Sequence, residues 1–180
     1  MAVSKESAMT ETHLTDKEAG QVQQLLTFLL DNEVYGADIS QIQEVLEYRK
    51  VTKVPRTPAF MLGVINLRGK VVPVIDLRRL FAMAVIENTV NTCIVIVDVM
   101  LDGEDIAIGI LADAVKEVIE LTQADICAPP RLGHRIDTRF ISGVGKKEDE
   151  FVIILDLGRV IGDEELHELV QSTHEFDAGR

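Results

Sequence analysis

Gly63-Val64-Ile65-Asn66-Leu67-Arg68-Gly69-Lys70-Val71-Val72-Pro73-Val74-Ile75-Asp76-Leu77-Arg78 reads as two apolar runs around a glycine turn, closed by an aspartate. Short β-branched runs on either side of such a turn predict a β-hairpin. Eighty residues further on, the same frame returns. Phe60-Met61-Leu62-Gly63-Val64 matches Phe140-Ile141-Ser142-Gly143-Val144, and Val71-Val72-Pro73-Val74-Ile75-Asp76-Leu77 matches Phe151-Val152-Ile153-Ile154-Leu155-Asp156-Leu157. Upstream, Gly36, Ile42, Glu44 and Val45 recur as Gly109, Val115, Glu117 and Val118, at an offset of 73. The difference between the offsets falls between about 118 and 140, where the second copy has the longer connection Gln123–Pro130. Two blocks in one order, separated by a single insertion, identify an internal duplication.

Each copy reads mostly as strand. Gln24–Leu30 ends at the turn pair Asp31-Asn32 and returns through Glu33–Ala37, and Thr92–Leu101 turns at Asp102-Gly103 and returns through Asp105–Leu111. Asp-Gly between apolar runs is a strong hairpin signal. Ser40 with Gln43 resembles a capping box opening a short helical turn. The segment Glu44–Tyr48 suits a strand. Pro73 has no N–H for a ladder, which predicts an edge or a bulge at that strand. Asp76 and Asp156 recur where one helical turn follows, which favours a capping role for both. Glu164–Val170 has helical spacing and predicts a C-terminal helix. Five short strands per copy leave bare edges unless each copy closes. The expected fold is therefore all-β: two tandem five-stranded SH3-like barrels, with short helical turns and a C-terminal helix. The first barrel would take about 21–83, with exchange of strands allowed, and the second 84–162. Residues 1–20 read as a disordered leader and 163–180 as the helix and an acidic tail. The groove between the barrels is a candidate binding site.

The chain has 180 residues and a formal charge of −12, with 47% apolar residues, enough for a packed core. Residues 21–83 balance at +2 and residues 84–162 at −7, so the two copies differ in sign. That asymmetry fits either ordinary solubilising charge or two different partners. Only 4% of residues are aromatic and tryptophan is absent. A small-barrel nucleic-acid binder needs stacking aromatics and a basic channel, so that class is disfavoured. No apolar run reaches the ~18 residues of a membrane span, and the opening residues lack a signal-peptide stretch. The expectation is a cytoplasmic protein without direct membrane insertion.

Catalytic and metal motifs are missing from the sequence. His13, His134, His167 and His174 are not spaced to share a metal, and Cys93 and Cys127 stand far apart. Asp102-Gly103-Glu104-Asp105 lacks the alternating ligands of a calcium loop. Nucleophile-elbow, P-loop and dinucleotide fingerprints do not occur. A non-enzyme is expected.

The hairpin tip separates the copies. Asn66-Leu67-Arg68-Gly69 in the first is Lys146-Lys147-Glu148-Asp149 in the second. A frame retained with a different tip suggests that one copy uses its tip. Arg68 offers a planar fork of donors, although Asn66 and Gly69 could equally serve the turn alone with Arg68 solvated.

Asn-Leu-Arg-Gly, followed by an apolar strand and Asp-Leu-Arg, resembles the signature of the bacterial chemotaxis coupling protein family (CheW-like). The resemblance takes in Phe28–Gly36, Ile42-Gln43-Glu44-Val45, Val54-Pro55 with Phe60, and the second copy, about residues 22–170. It implies two small barrels, no enzymatic activity and no cofactor. The implied partners are the cytoplasmic tip of a methyl-accepting chemoreceptor and the regulatory domain of a CheA-type histidine kinase, in rings beneath receptor arrays. Carried over by position, Arg68, Asn66, Leu67, Glu44 and Val45 would face the receptor, and Leu26, Ile39 and Ile42 the kinase. On the residues alone, Leu26 also suits a core position, and Ile39 and Ile42 suit core or surface. A receiver-fused coupling protein and the kinase itself are disfavoured because the chain ends near residue 180. A paralogous coupling protein of another receptor-controlled kinase pathway is the nearest alternative.

Overall fold

A computed structural model describes residues 21–128 and 138–178. The expected leader, His13, His134 and the end of the 123–130 connection lie outside the described residues. The strands are β1 (Val22–Leu30), β2 (Glu33–Asp38), β3 (Ile42–Glu47), β4 (Met61–Leu67), β5 (Lys70–Asp76), β6 (Cys93–Leu101), β7 (Glu104–Ala112), β8 (Ala114–Thr122), β9 (Ile126–Cys127), β10 (Ile141–Lys147) and β11 (Glu150–Leu155). The all-β expectation holds.

Four two-residue turns make the hairpins. Both central residues have positive φ in every one: Asp31 and Asn32 (52° and 64°), Arg68 and Gly69 (52° and 85°), Asp102 and Gly103 (51° and 83°), Glu148 and Asp149 (50° and 66°). Two left-handed residues in a row define the primed turn whose twist matches that of the strands.

The strands form a six-stranded sheet, β8-β1-β2-β11-β10-β9, and a five-stranded sheet, β3-β6-β7-β5-β4. A division near residue 83 therefore does not describe the sheets, because each draws on both copies. The opening hairpin β1–β2 joins the larger sheet through parallel pairing of β2 with β11, Gly36 opposite Ile154. The hairpin β6–β7 joins the smaller sheet through β5, Val74 opposite Gly109. The two contacts are the same contact by duplication, exchanged reciprocally. A Cβ on Gly36 would lie 3.0 Å from Val152 Cγ1, and one on Gly109 would lie 3.0 Å from Ile94 Cγ2, so both glycines permit close packing.

Neither sheet is a closed ladder. The larger one's end strands, β8 and β9, are joined by the 3-10 turn Gln123–Asp125. In the smaller one Thr52, just after β3, exchanges two backbone hydrogen bonds with Val64 of β4, at 2.9 and 2.8 Å. Of the two expectations for Pro73, the edge is overturned, because β5 lies between β4 and β7. An irregularity is found next to it, where the β4–β5 register shifts between the pairs Met61–Ile75 and Gly63–Val74. Val64 turns its N–H and C=O toward Thr52, so Val64 and its partner Pro73 are a non-hydrogen-bonded pair. The nitrogen of Pro73 faces β7, where pairing starts only at Val74. No ladder bond is lost.

Three apolar clusters fill the molecule. Ile65, Leu67, Val72, Val74, Ile94, Ile96 and Leu111 pack inside the smaller sheet. Leu25, Val34, Ile119, Leu121, Val152 and Ile154 pack inside the larger one. The largest cluster, with Phe28, Tyr35, Ile75, Val95 and Leu155, takes residues from both sheets. Neighbours such as Leu25 and Leu26, or Val74 and Ile75, therefore enter different cores. That explains strands that read as continuous apolar runs.

One-turn helices α1 (Leu77–Leu80) and α2 (Leu157–Val160) follow Asp76 and Asp156, whose side chains accept from the Arg78 and Gly158 amides, as capping required. Asp38, not Ser40, caps the 3-10 turn Ile39–Gln41, accepting from the Ser40 amide at 2.9 Å. Helix α3 (Asp163–Ala178) is longer than the sequence pattern indicated and sets Leu166 and Leu169 into the shared core.

Candidate functional site

The β4–β5 tip is held by its own residues. Asn66 Oδ1 accepts from the Gly69 amide at 2.9 Å, which fixes the turn and directs Arg68 outward. Arg68 Nη2 donates to Glu44 Oε2 on β3 at 2.5 Å, with the Arg68 side chain 71% exposed and that of Glu44 24%. The hydrogen bond and the charge of Glu44 raise the guanidinium above its ordinary value, so it stays charged at every physiological pH. The second carboxylate oxygen, Glu44 Oε1, is buried without a hydrogen-bond partner. Val45 is exposed beside Glu44. Arg68, Asn66 and Glu44, from two separate stretches of the chain, thus meet at one place, whereas Val45, the next residue of β3 after Glu44, lies on the opposite face of the strand.

Leu67 does not join them. It is 8% exposed and belongs to the smaller sheet's own core. Leu26, expected on a kinase-facing surface, is 6% exposed in the shared core. Its side chain packs within that core and cannot be an exposed anchor. Ile39 and Ile42 are half-buried at the rim of the shared core.

Beside the tip lies a groove of about 500 Å³. Val71, Pro73, Ile106 and Val170 of α3 give it apolar walls; Asp98, Glu104 and Asp105 give it an acidic side, and Lys70 a basic one. Gln43 and Asp98, in hydrogen-bond contact, stand at its border. The sequence reading missed this contact because Gln43 and Asp98 come together only through the β3–β6 pairing, Ile42 opposite Val97. Among the described residues no group of three or more His, Cys, Asp or Glu is placed to hold a metal ion. The site offers a charged fork and a partly apolar groove, a surface suited to a protein partner.

A sequence profile described as the CheW-like domain matches residues 24–165. The chain belongs to the CheW-like family. The chemotaxis protein CheW of Klebsiella aerogenes is 36% identical over 152 residues, covering 83% of this chain and 89% of the relative. That of Treponema pallidum is 32% identical, covering 81% and 86%. Protein FrzA of Myxococcus xanthus is 32% identical over 113 residues, covering 63% of this chain and 68% of the relative. Among solved structures, the scaffolding protein TtCheW from Thermoanaerobacter tengcongensis superposes with a TM-score of 0.71 at 36% identity, over 79% of this chain and 94% of that one. No helix among the described residues is long and apolar enough to cross a membrane.

Proposed function

We propose that this chain is a non-enzymatic chemotaxis scaffold, coupling the cytoplasmic tip of a methyl-accepting chemoreceptor to the regulatory domain of a CheA-type histidine kinase. The carrying observation is the Arg68–Glu44 pair on a tip that only one copy of the duplication has. Arg68 presents a largely exposed guanidinium to a receptor backbone or carboxylate, and Glu44 orients it through Oε2. Asn66 shapes the turn, Val45 adds apolar contact, and Leu67 acts from below by seating the tip. The kinase domain meets the rim formed by Ile39 and Ile42, with Leu26 packed behind it. Engaging both partners at once places the protein at the inner face of the membrane, in rings with kinase regulatory domains.

The test is a binding titration of the purified chain with a receptor cytoplasmic fragment and with the kinase regulatory domain, separately and together. A ternary complex is expected. Arg68→Glu should lose the receptor and keep the kinase domain. Failure to bind either partner overturns the reading. Binding to a receptor and kinase of another pathway but not to a chemotaxis pair assigns the chain to that pathway.

A further inference from the structure

The backbone passes between the two sheets at two places: from β2 through Ile39–Gln41 into β3, and from β7 through Asp113 into β8. The two crossings are built differently. At the second, the Asp113 amide donates to the Leu29 carbonyl at 2.9 Å, and Asp113 Oδ2 accepts from the Asp31 amide at 2.9 Å. Asp113 Oδ1 pairs with Arg78 Nη2 from α1, whose side chain is 4% exposed. One aspartate therefore ties the β1–β2 turn of the larger sheet to the helix that ends β5 of the smaller. Burial lowers the Arg78 pKa, opposed by nearby Asp76 and Asp31, and its Nε finds no acceptor. An anionic partner is what allows this guanidinium to stay buried.

Among the described residues, the first crossing has no such tie. Asp38 bonds the amide and hydroxyl of Ser40, two residues away, at 2.9 and 2.7 Å. Its contact with another element is a 3.4 Å bond from Gln23. None of Ile39–Gln41 is fully buried. By the duplication, the position of Asp113 is Ser40 and that of Arg78 is Gly158, so the ion pair exists in one half alone. Buried bonds between elements resist opening, whereas exposed local bonds do not.

We propose that the Arg78–Asp113 pair locks one sheet-to-sheet crossing, so that movement of the sheets against each other pivots there and is taken up at Ile39–Gln41. That hinge opens directly into β3, which carries Ile42, Glu44 and Val45. A partner held on β3 would therefore sense or set the angle between the sheets. The inference does not depend on which partner that is.

Amide hydrogen exchange on the full chain tests it. In the wild type, amides 39–43 should exchange at least tenfold faster than amide 31 and amides 113–115. Arg78→Leu with Asp113→Leu removes both charges and leaves neither unpaired. It should raise exchange at 31 and 113–115 at least tenfold and leave 39–43 unchanged. Ser40→Asp with Gly158→Arg builds the missing pair and should slow exchange at 39–43; a Cβ at Gly158 has Asp156 Oδ1 at 3.4 Å as its nearest neighbour. Should the leucine pair prevent folding, Arg78→Lys, with its single point charge, should still loosen 113–115 selectively. Equal exchange at the two crossings in the wild type overturns the proposal, as does a uniform change across the chain in every variant.

Discussion

The β4–β5 and β10–β11 hairpins are copies of one unit that have parted in chemistry. Both have a primed turn, a register shift near a glycine (Met61/Gly63 and Ile141/Gly143) and a capping aspartate at the exit. In the first, Arg68 faces Glu44. The corresponding positions in the second are Glu148 and Glu117, which line one small pocket with Lys116 and Lys147. Two acids cannot pair, and Lys116 bonds Glu150 instead, at 3.2 Å. The backbone frame thus survives duplication because packing demands it, while an exposed tip is free to change and to specialise.

The largest expected difference between the hairpins is in the frame. Gly63 has φ 149°, and a Cβ there would stand 2.1 Å from the Thr52 carbonyl oxygen. A Cβ at Gly143 would meet the Ile126 methyl at 2.8 Å and the Cys127 carbonyl oxygen at 3.1 Å, a less severe clash in which the closest atom belongs to a side chain. Gly63→Ala should cost about 3 kcal/mol or more, and Gly143→Ala roughly half of that, by urea denaturation. Equal costs would show the two bulges to be interchangeable.

Ile42→Asp probes the rim of the shared core. Partial burial sets a stability loss of about 1–2 kcal/mol. The loss of kinase-domain affinity should exceed that caused by Arg68→Glu, because charges are poorly tolerated at desolvated contacts. Melting and binding curves on the same sample separate the effects. A variant that loses only its melting transition places Ile42 in the core alone.

Arg68→Glu should change stability by less than about 1 kcal/mol, since the guanidinium is solvated, and weaken receptor binding at least tenfold. Unchanged affinity in a folded variant removes the tip from the receptor site. The turns themselves give a smaller contrast. Glu148 and Asp149 occupy left-handed positions without a glycine. Glu148→Asn with Asp149→Gly should stabilise by about 1 kcal/mol, as seen in the thermal midpoint. Smallest of all, Lys146→Glu with Lys147→Glu should cost about 0.5 kcal/mol per substitution and leave receptor affinity near wild type. Abolished binding in this variant alone would move the receptor site to the second tip.

What could be read along the chain was local or repeated. Asp31-Asn32, Arg68-Gly69 and Asp102-Gly103 announced turns because few residues accept positive φ. Asp76 and Asp156 announced helical turns because an exposed amide needs a short acceptor. The offsets of 80 and 73 revealed the duplication. The resemblance to a known family was carried by the tip that the duplication left unmatched.

Three features came only with the tertiary structure. The exchange of hairpins between copies rests on β2–β11 and β5–β7, parallel pairings between segments far apart in the chain, for which neighbouring residues carry no code. The fates of Leu26 and Leu67 could not be separated from those of exposed apolar residues, because both faces of these sheets are buried and alternation is erased. Arg78 and Asp113 look like ordinary surface charges in the sequence; a buried guanidinium meets a partly buried carboxylate only because α1 and the β7–β8 crossing converge there. Turns and caps are decided by the torsions and hydrogen bonds of a few adjacent residues, whereas strand exchange, burial and ion pairing are decided by which distant surfaces the whole chain brings into contact.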